Sequence, residues 1–151
     1  MFLPGYLGLL AEVEAEGRDA PAAMARIDEA LATTQQTGER WTDAFLHRIR
    51  GDILLKADPE NPARAEEAYL TAVAVAREQG ARSFGLQAAL KLANLYQSTG
   101  RPVDAHDVLA AALKGFTPTP ELPEIAEAQT LLAALRTPIT ITATILRTGG
   151  V

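Results

Sequence analysis

The 151-residue chain has no cysteine, only two histidines (His47 and His106) and only two serines (Ser83 and Ser98). Without cysteine, disulfide scaffolds, zinc fingers, iron–sulfur clusters and thiol catalysis are all excluded. Neither G-x-x-x-x-G-K-[ST] nor G-x-G-x-x-G occurs, so no loop is built to cradle nucleotide phosphates, and no cofactor is expected. Positive charge is also scarce: 14 Lys and Arg against 19 Asp and Glu leave a net charge of −5. A nucleic-acid footprint needs a clustered basic face, so no direct nucleic-acid partner is expected. Long apolar runs are missing as well. Tyr6-Leu7-Gly8-Leu9-Leu10 is followed by Glu12, Glu14 and Glu16, well short of the ~20 apolar residues a membrane span requires. No Lys or Arg lies between Met1 and Gly17, so the basic region of a signal peptide is absent, and a cytoplasmic protein that does not enter membranes is expected. This composition points to a binding module and not to an enzyme.

Alanine is abundant instead, and it recurs at helical spacing. In PARAEEAYLTAVAVAREQ (62–79), Ala65, Ala68, Tyr69, Ala72, Val73 and Ala76 form one stripe, with Arg64, Glu66, Glu67 and Arg77 largely outside it. Asn61 is positioned to cap this helix, Pro62 suits its first turn, and Gly80 suits its end. The pattern repeats. Ala23, Ala65 and Ala105 open three similar segments; an apolar residue follows four positions later in each (Ile27, Tyr69, Leu109) and a second alanine seven positions later (Ala30, Ala72, Ala112). A period near 40 signals an array of helical repeats.

The expected fold is therefore all-α: a right-handed array of antiparallel helix pairs, about three pairs plus a capping helix. Helices are expected near 3–16, 20–37, 40–57, 62–79, 82–99, 102–114 and 121–136, making one repeat domain over 1–136. The last helix caps the array, since end repeats must cover apolar surface with no further neighbour. Residues 137–151 (TPITITATILRTGGV) alternate Ile with Thr and form a separate tail, either extended or frayed.

The third unit carries Leu92-Ala93-Asn94-Leu95-Tyr96, Gly100-Arg101, Asp104-Ala105, Leu109 and Ala112, and it resembles the tetratricopeptide repeat. The second unit shows Gly51, Ala65, Tyr69 and Ala72 with about two extra residues in its turn; the first has Glu14 where an aromatic is usual. The family's helix-ending proline is missing, and the period exceeds its usual 34. The runs LLAEVEAEGR, TGERWTDAFLHRIRGDILL, AEEAYLTAVAVAREQGARS and LQAALKLANLYQSTGR also look like the C-terminal region of multidomain bacterial proteins that join a class III adenylate cyclase or regulatory module to a signalling ATPase and helical repeats. That resemblance implies a detached or truncated sensory or scaffold region, with the cyclase and ATPase chemistry left elsewhere.

The resemblance also implies a partner groove lined by the first helix of each pair. Carried over, its positions are Phe45, Arg48, Asp52 and Lys56 in the second unit and Gln87, Asn94 and Gln97 in the third. The first four are spaced i, i+3, i+7 and i+11 and share one helix face, which suits an extended or helical peptide. Arg48, Asp52 and Lys56 read equally well as intrahelical pairs worth a few tenths of a kcal/mol. The carboxylate clamp of some family members is not evident, because Leu90 stands where a cation would be needed. Trp41 and Phe45, four residues apart, either pack between repeats or bind. His106 beside Asp104 and Asp107 reads as a solvated face, and His47 as a packed or surface residue. A second use of the array is self-association: Tyr6, Leu7, Leu10 and Val13 form an apolar stripe at its open N-terminal end, fit for a homodimer.

Overall fold

In the computed structural model the described residues are 19–114 and 123–136, and all their regular structure is helical. They form α1 (Ala20–Thr37), α2 (Asp43–Ala57, after a single 3-10 turn at Arg40–Thr42), α3 (Ala63–Gln79), α4 (Arg82–Ser98), α5 (Pro102–Leu113) and α6 (Pro123–Arg136). The helix expected at 3–16 and the tail at 137–151 lie outside the described residues.

Local chemistry sets most of these boundaries. The Asp19 carboxylate accepts from the Ala22 amide at 3.1 Å, capping α1. Gly38 and Gly80 end α1 and α3 with φ of 74° and 66°, a left-handed turn that costs other residues about 1–2 kcal/mol. Two expected starts move. Asn61 does not cap α3; Pro62 holds the cap position, and the exposed Asn61 donates its backbone N–H to the Asp58 carbonyl at 3.3 Å. Residues 40–42 form a 3-10 turn before α2. Arg40 is tied there twice: its Nε donates to Asp43 at 2.9 Å, and its carbonyl accepts from Gln79 Nε2 at 2.8 Å.

Each helix packs on the next in sequence, and α2 also touches α4, as α4 touches α6. The repeated positions carry the core. Ala23, Ala65 and Ala105 are buried, as are Ile27, Tyr69 and Leu109 four residues later. The small residue lets two helix backbones approach, and the large one fills the space beside it. Ile27 joins Leu46, Ile49 and Ile53 in one cluster between α1 and α2. Tyr69, Leu86, Leu92, Tyr96, Leu109 and Ile125 belong to a larger one across α3 to α6. Each such side chain contributes about 1.5–3 kcal/mol by leaving water. Among the described residues, no helix is long and apolar enough to cross a membrane.

Candidate functional site

The best-defined polar cluster lies where α2, α3 and α4 meet. On α2, Arg48 is buried although charged, 8% exposed. Its guanidinium donates to Asp52 Oδ2 at 2.9 Å and lies over the Phe45 ring, 5.3 Å from its centroid. Phe45 in turn packs against Phe84 of α4, with 5.8 Å between centroids. The other carboxylate oxygen of Asp52 accepts the Tyr69 hydroxyl of α3 at 2.6 Å and has the Lys91 ammonium of α4 at 3.8 Å. Burial pushes the Tyr69 phenol far above its ordinary range, and the adjacent Asp52 charge and hydrogen bond push it further. Asp52 thus joins three helices, and Arg48–Asp52 is more than an intrahelical surface pair.

Beside this network is a cavity of about 250 Å³ lined by Arg48, Gln87, Lys91, Asn94, Glu124 and Glu127, over a Leu90 wall. It is somewhat smaller than the usual range for small-molecule sites. Gln87 Nε2 reaches toward Glu124 at 3.5 Å. The cavity brings together Arg48, Gln87 and Asn94 of the residues carried over from the repeat family. Phe45 and Asp52 stand behind it, each touching Arg48. Lys56 and Gln97 are exposed and line no part of it.

Sequence reading missed Lys91, Glu124, Glu127 and Tyr69. Lys91 was within reach, since Gln87, Lys91 and Asn94 are spaced i, i+4 and i+7 on one face of α4. The glutamates belong to α6, and only packing of α6 on α4 brings them in.

The histidines sit apart from this cluster. His47 is half-buried and lines a second cavity of about 250 Å³ with Arg50, Arg64 and Glu67. Burial lowers its pKa, opposed by Asp43 and reinforced by Arg50 and Arg40. His106 Nδ1 lies 3.3 Å from Asp107 on the surface. Ser98 donates its hydroxyl to the Leu95 carbonyl at 2.8 Å, as helix-end serines commonly do. Trp41 is 54% exposed. The apolar stripe of Tyr6, Leu7, Leu10 and Val13 lies outside the described residues. Among the described residues, no group of three metal-ligating side chains gathers.

Compared with protein-family models, curated proteins and solved structures, the chain matches none of them.

Proposed function

We propose that the chain is a non-catalytic helical-repeat module that binds a protein or peptide partner across α2, α4 and α6. The observation that carries this reading is the cavity where those helices meet, because it sets donors (Arg48, Lys91, Asn94) and acceptors (Glu124, Glu127, Asn94) around one opening. A peptide backbone alternates donors and acceptors, and a mixed lining of this kind can satisfy both. The recurrence of buried Ala23, Ala65 and Ala105 supports a repeat array, in which α2, α4 and α6 form the layer that faces the partner. The resemblance to bacterial cyclase-associated repeat regions extends the proposal: the module serves a signalling protein as a sensory or scaffold part, in the cytoplasm.

The test is selection of a random peptide library on the full chain, followed by Lys91→Glu and Asn94→Ala variants. Selected peptides should lose at least tenfold in affinity while far-UV circular dichroism stays unchanged. Peptides that bind both variants as tightly as the parent would remove this groove as the binding site.

A further inference from the structure

A third cavity, of about 360 Å³, opens between α3, α4 and α5. It shares α4 with the groove above but has no lining residue in common with it. Val73, Ala76, Leu86 and Val108 give it an apolar floor, and small residues (Gly80, Ala81, Gly85, Ala111, Ala112) keep it open. Three cationic residues line it: Arg77 near the end of α3, Arg82 at the start of α4 and Lys114 just after α5.

Its electrostatics differ from those of the other two cavities. Those include Glu67, or Glu124 and Glu127, and their basic residues are largely engaged: Arg50 pairs with Asp28, and Arg48 and Lys91 share Asp52. Among the described residues the third cavity has no carboxylate in its lining, and neither Arg77 nor Lys114 forms an ion pair there. The first turn of α4 also reaches the cavity, and its N-cap residue, Ala81, has no side chain able to cap. The positive end of that helix adds to the two cations. In a chain of net charge −5, Arg77 and Lys114, which pair with no carboxylate among the described residues, are thus set over an apolar floor.

We propose that the α3–α4–α5 cavity binds a small anionic amphiphile, an aliphatic carboxylate whose chain lies on Val73, Leu86 and Val108 and whose head group meets Arg77 and Lys114. The apolar floor alone would take a neutral hydrocarbon, and the cations alone would take any anion. Together they select a molecule with both parts, of the size that cavities of this volume hold. The site is independent of the peptide groove, so either can fail without the other.

The experiment is titration of sodium decanoate, below its micellar concentration, into the full ¹⁵N-labelled chain, following the Gly80, Ala81 and Gly85 amides. Saturable shifts centred on those three are expected. Decanol, decyltrimethylammonium and acetate should each bind at least tenfold more weakly. Arg77→Glu and Lys114→Glu, both at exposed positions, should each weaken decanoate at least fivefold with helicity unchanged. Equal binding of decanol would remove the anion selectivity, and equal binding of acetate the apolar contribution; either overturns the proposal. So would shifts centred on Lys91 and Asn94, or no shift. Concentration-dependent shifts at Gly80 and Gly85 without any amphiphile would hand the cavity to a second copy of the chain and likewise overturn it.

Discussion

Tyr69 packs against Gly51: a β-carbon built on Gly51 would stand 2.5 Å from the Tyr69 ring. The ring is 1% exposed, and its hydroxyl reaches one residue past the glycine to Asp52. The absent side chain on α2 is therefore what lets the aromatic of α3 enter the core and hold the carboxylate that organises Arg48 and Lys91.

Gly51→Ala should destabilise the fold. Alanine gains about 1 kcal/mol over glycine inside a helix, but forcing a methyl into a filled core costs about 1–3 kcal/mol. The second effect wins here because the obstructing atoms belong to a buried, hydrogen-bonded ring. In a Tyr69→Leu background the same change should become neutral or stabilising. Urea midpoints of the four variants measure this coupling directly.

Tyr69→Phe keeps the ring and removes one donor to Asp52. Loss of a bond to a charged acceptor should cost about 1.5–3 kcal/mol. The Tyr69 pKa is raised in the folded state, so the stability tied to it is whole below the ordinary value of 10.0 and declines as pH rises beyond it toward the raised folded value. Denaturation between pH 8 and 11 should show a steeper alkaline loss in the parent than in the variant.

Arg48 and Lys91 both face Asp52 and should behave differently when neutralised. Arg48→Met removes a 2.9 Å bond from a side chain that is 10% exposed and should cost about 1–3 kcal/mol. Lys91→Met removes a 3.8 Å pair from a side chain that is 48% exposed and should stay within about 0.5 kcal/mol. Equal losses in thermal denaturation would contradict the burial difference. The contrast also makes Lys91, and not Arg48, the residue to alter when probing binding without unfolding.

His47 should make the fold acid-sensitive. Burial holds its pKa below 6.5, so an unfolded chain takes up the proton more readily than the folded one. The stability it contributes is complete above pH 6.5 and is lost as pH falls through the lowered folded value. His47→Gln should therefore reduce the drop in urea midpoint between pH 6.5 and 5; an unchanged drop would assign it to carboxylates alone.

Gly38 and Gly80 should resist substitution for a reason unlike that at Gly51. A β-carbon at either would touch nothing within 4 Å, yet both have positive φ. Alanine at either position should cost about 1 kcal/mol, seen as a lower melting temperature.

Much of this molecule was legible from sequence because it depends on neighbours a few residues apart. The spans of α1, α4 and α5, the glycine ends of α1 and α3, and the burial of Ala23, Ala65 and Ala105 all follow from hydrophobic period and turn chemistry. Where a distant side chain intervenes, local reading falls short: Gln79 of α3 donates to the Arg40 carbonyl, in a 3-10 turn where a helix start is expected.

The groove divides along the same line. Arg48, Asp52, Gln87 and Asn94 are positions that the repeat resemblance implies, and their i+4 and i+7 spacing puts each pair on one face of a single helix. That Tyr69 and Lys91 both converge on Asp52, that Glu124 and Glu127 complete the cavity, and that Arg77, Val108 and Lys114 line another one depend on how separate helices pack. Sequence alone determined the helices and their buried faces, because helix formation and amphipathic pattern are short-range. Only the tertiary structure decided which polar side chains share a cavity, because that depends on the angle and register at which one helix lies on another.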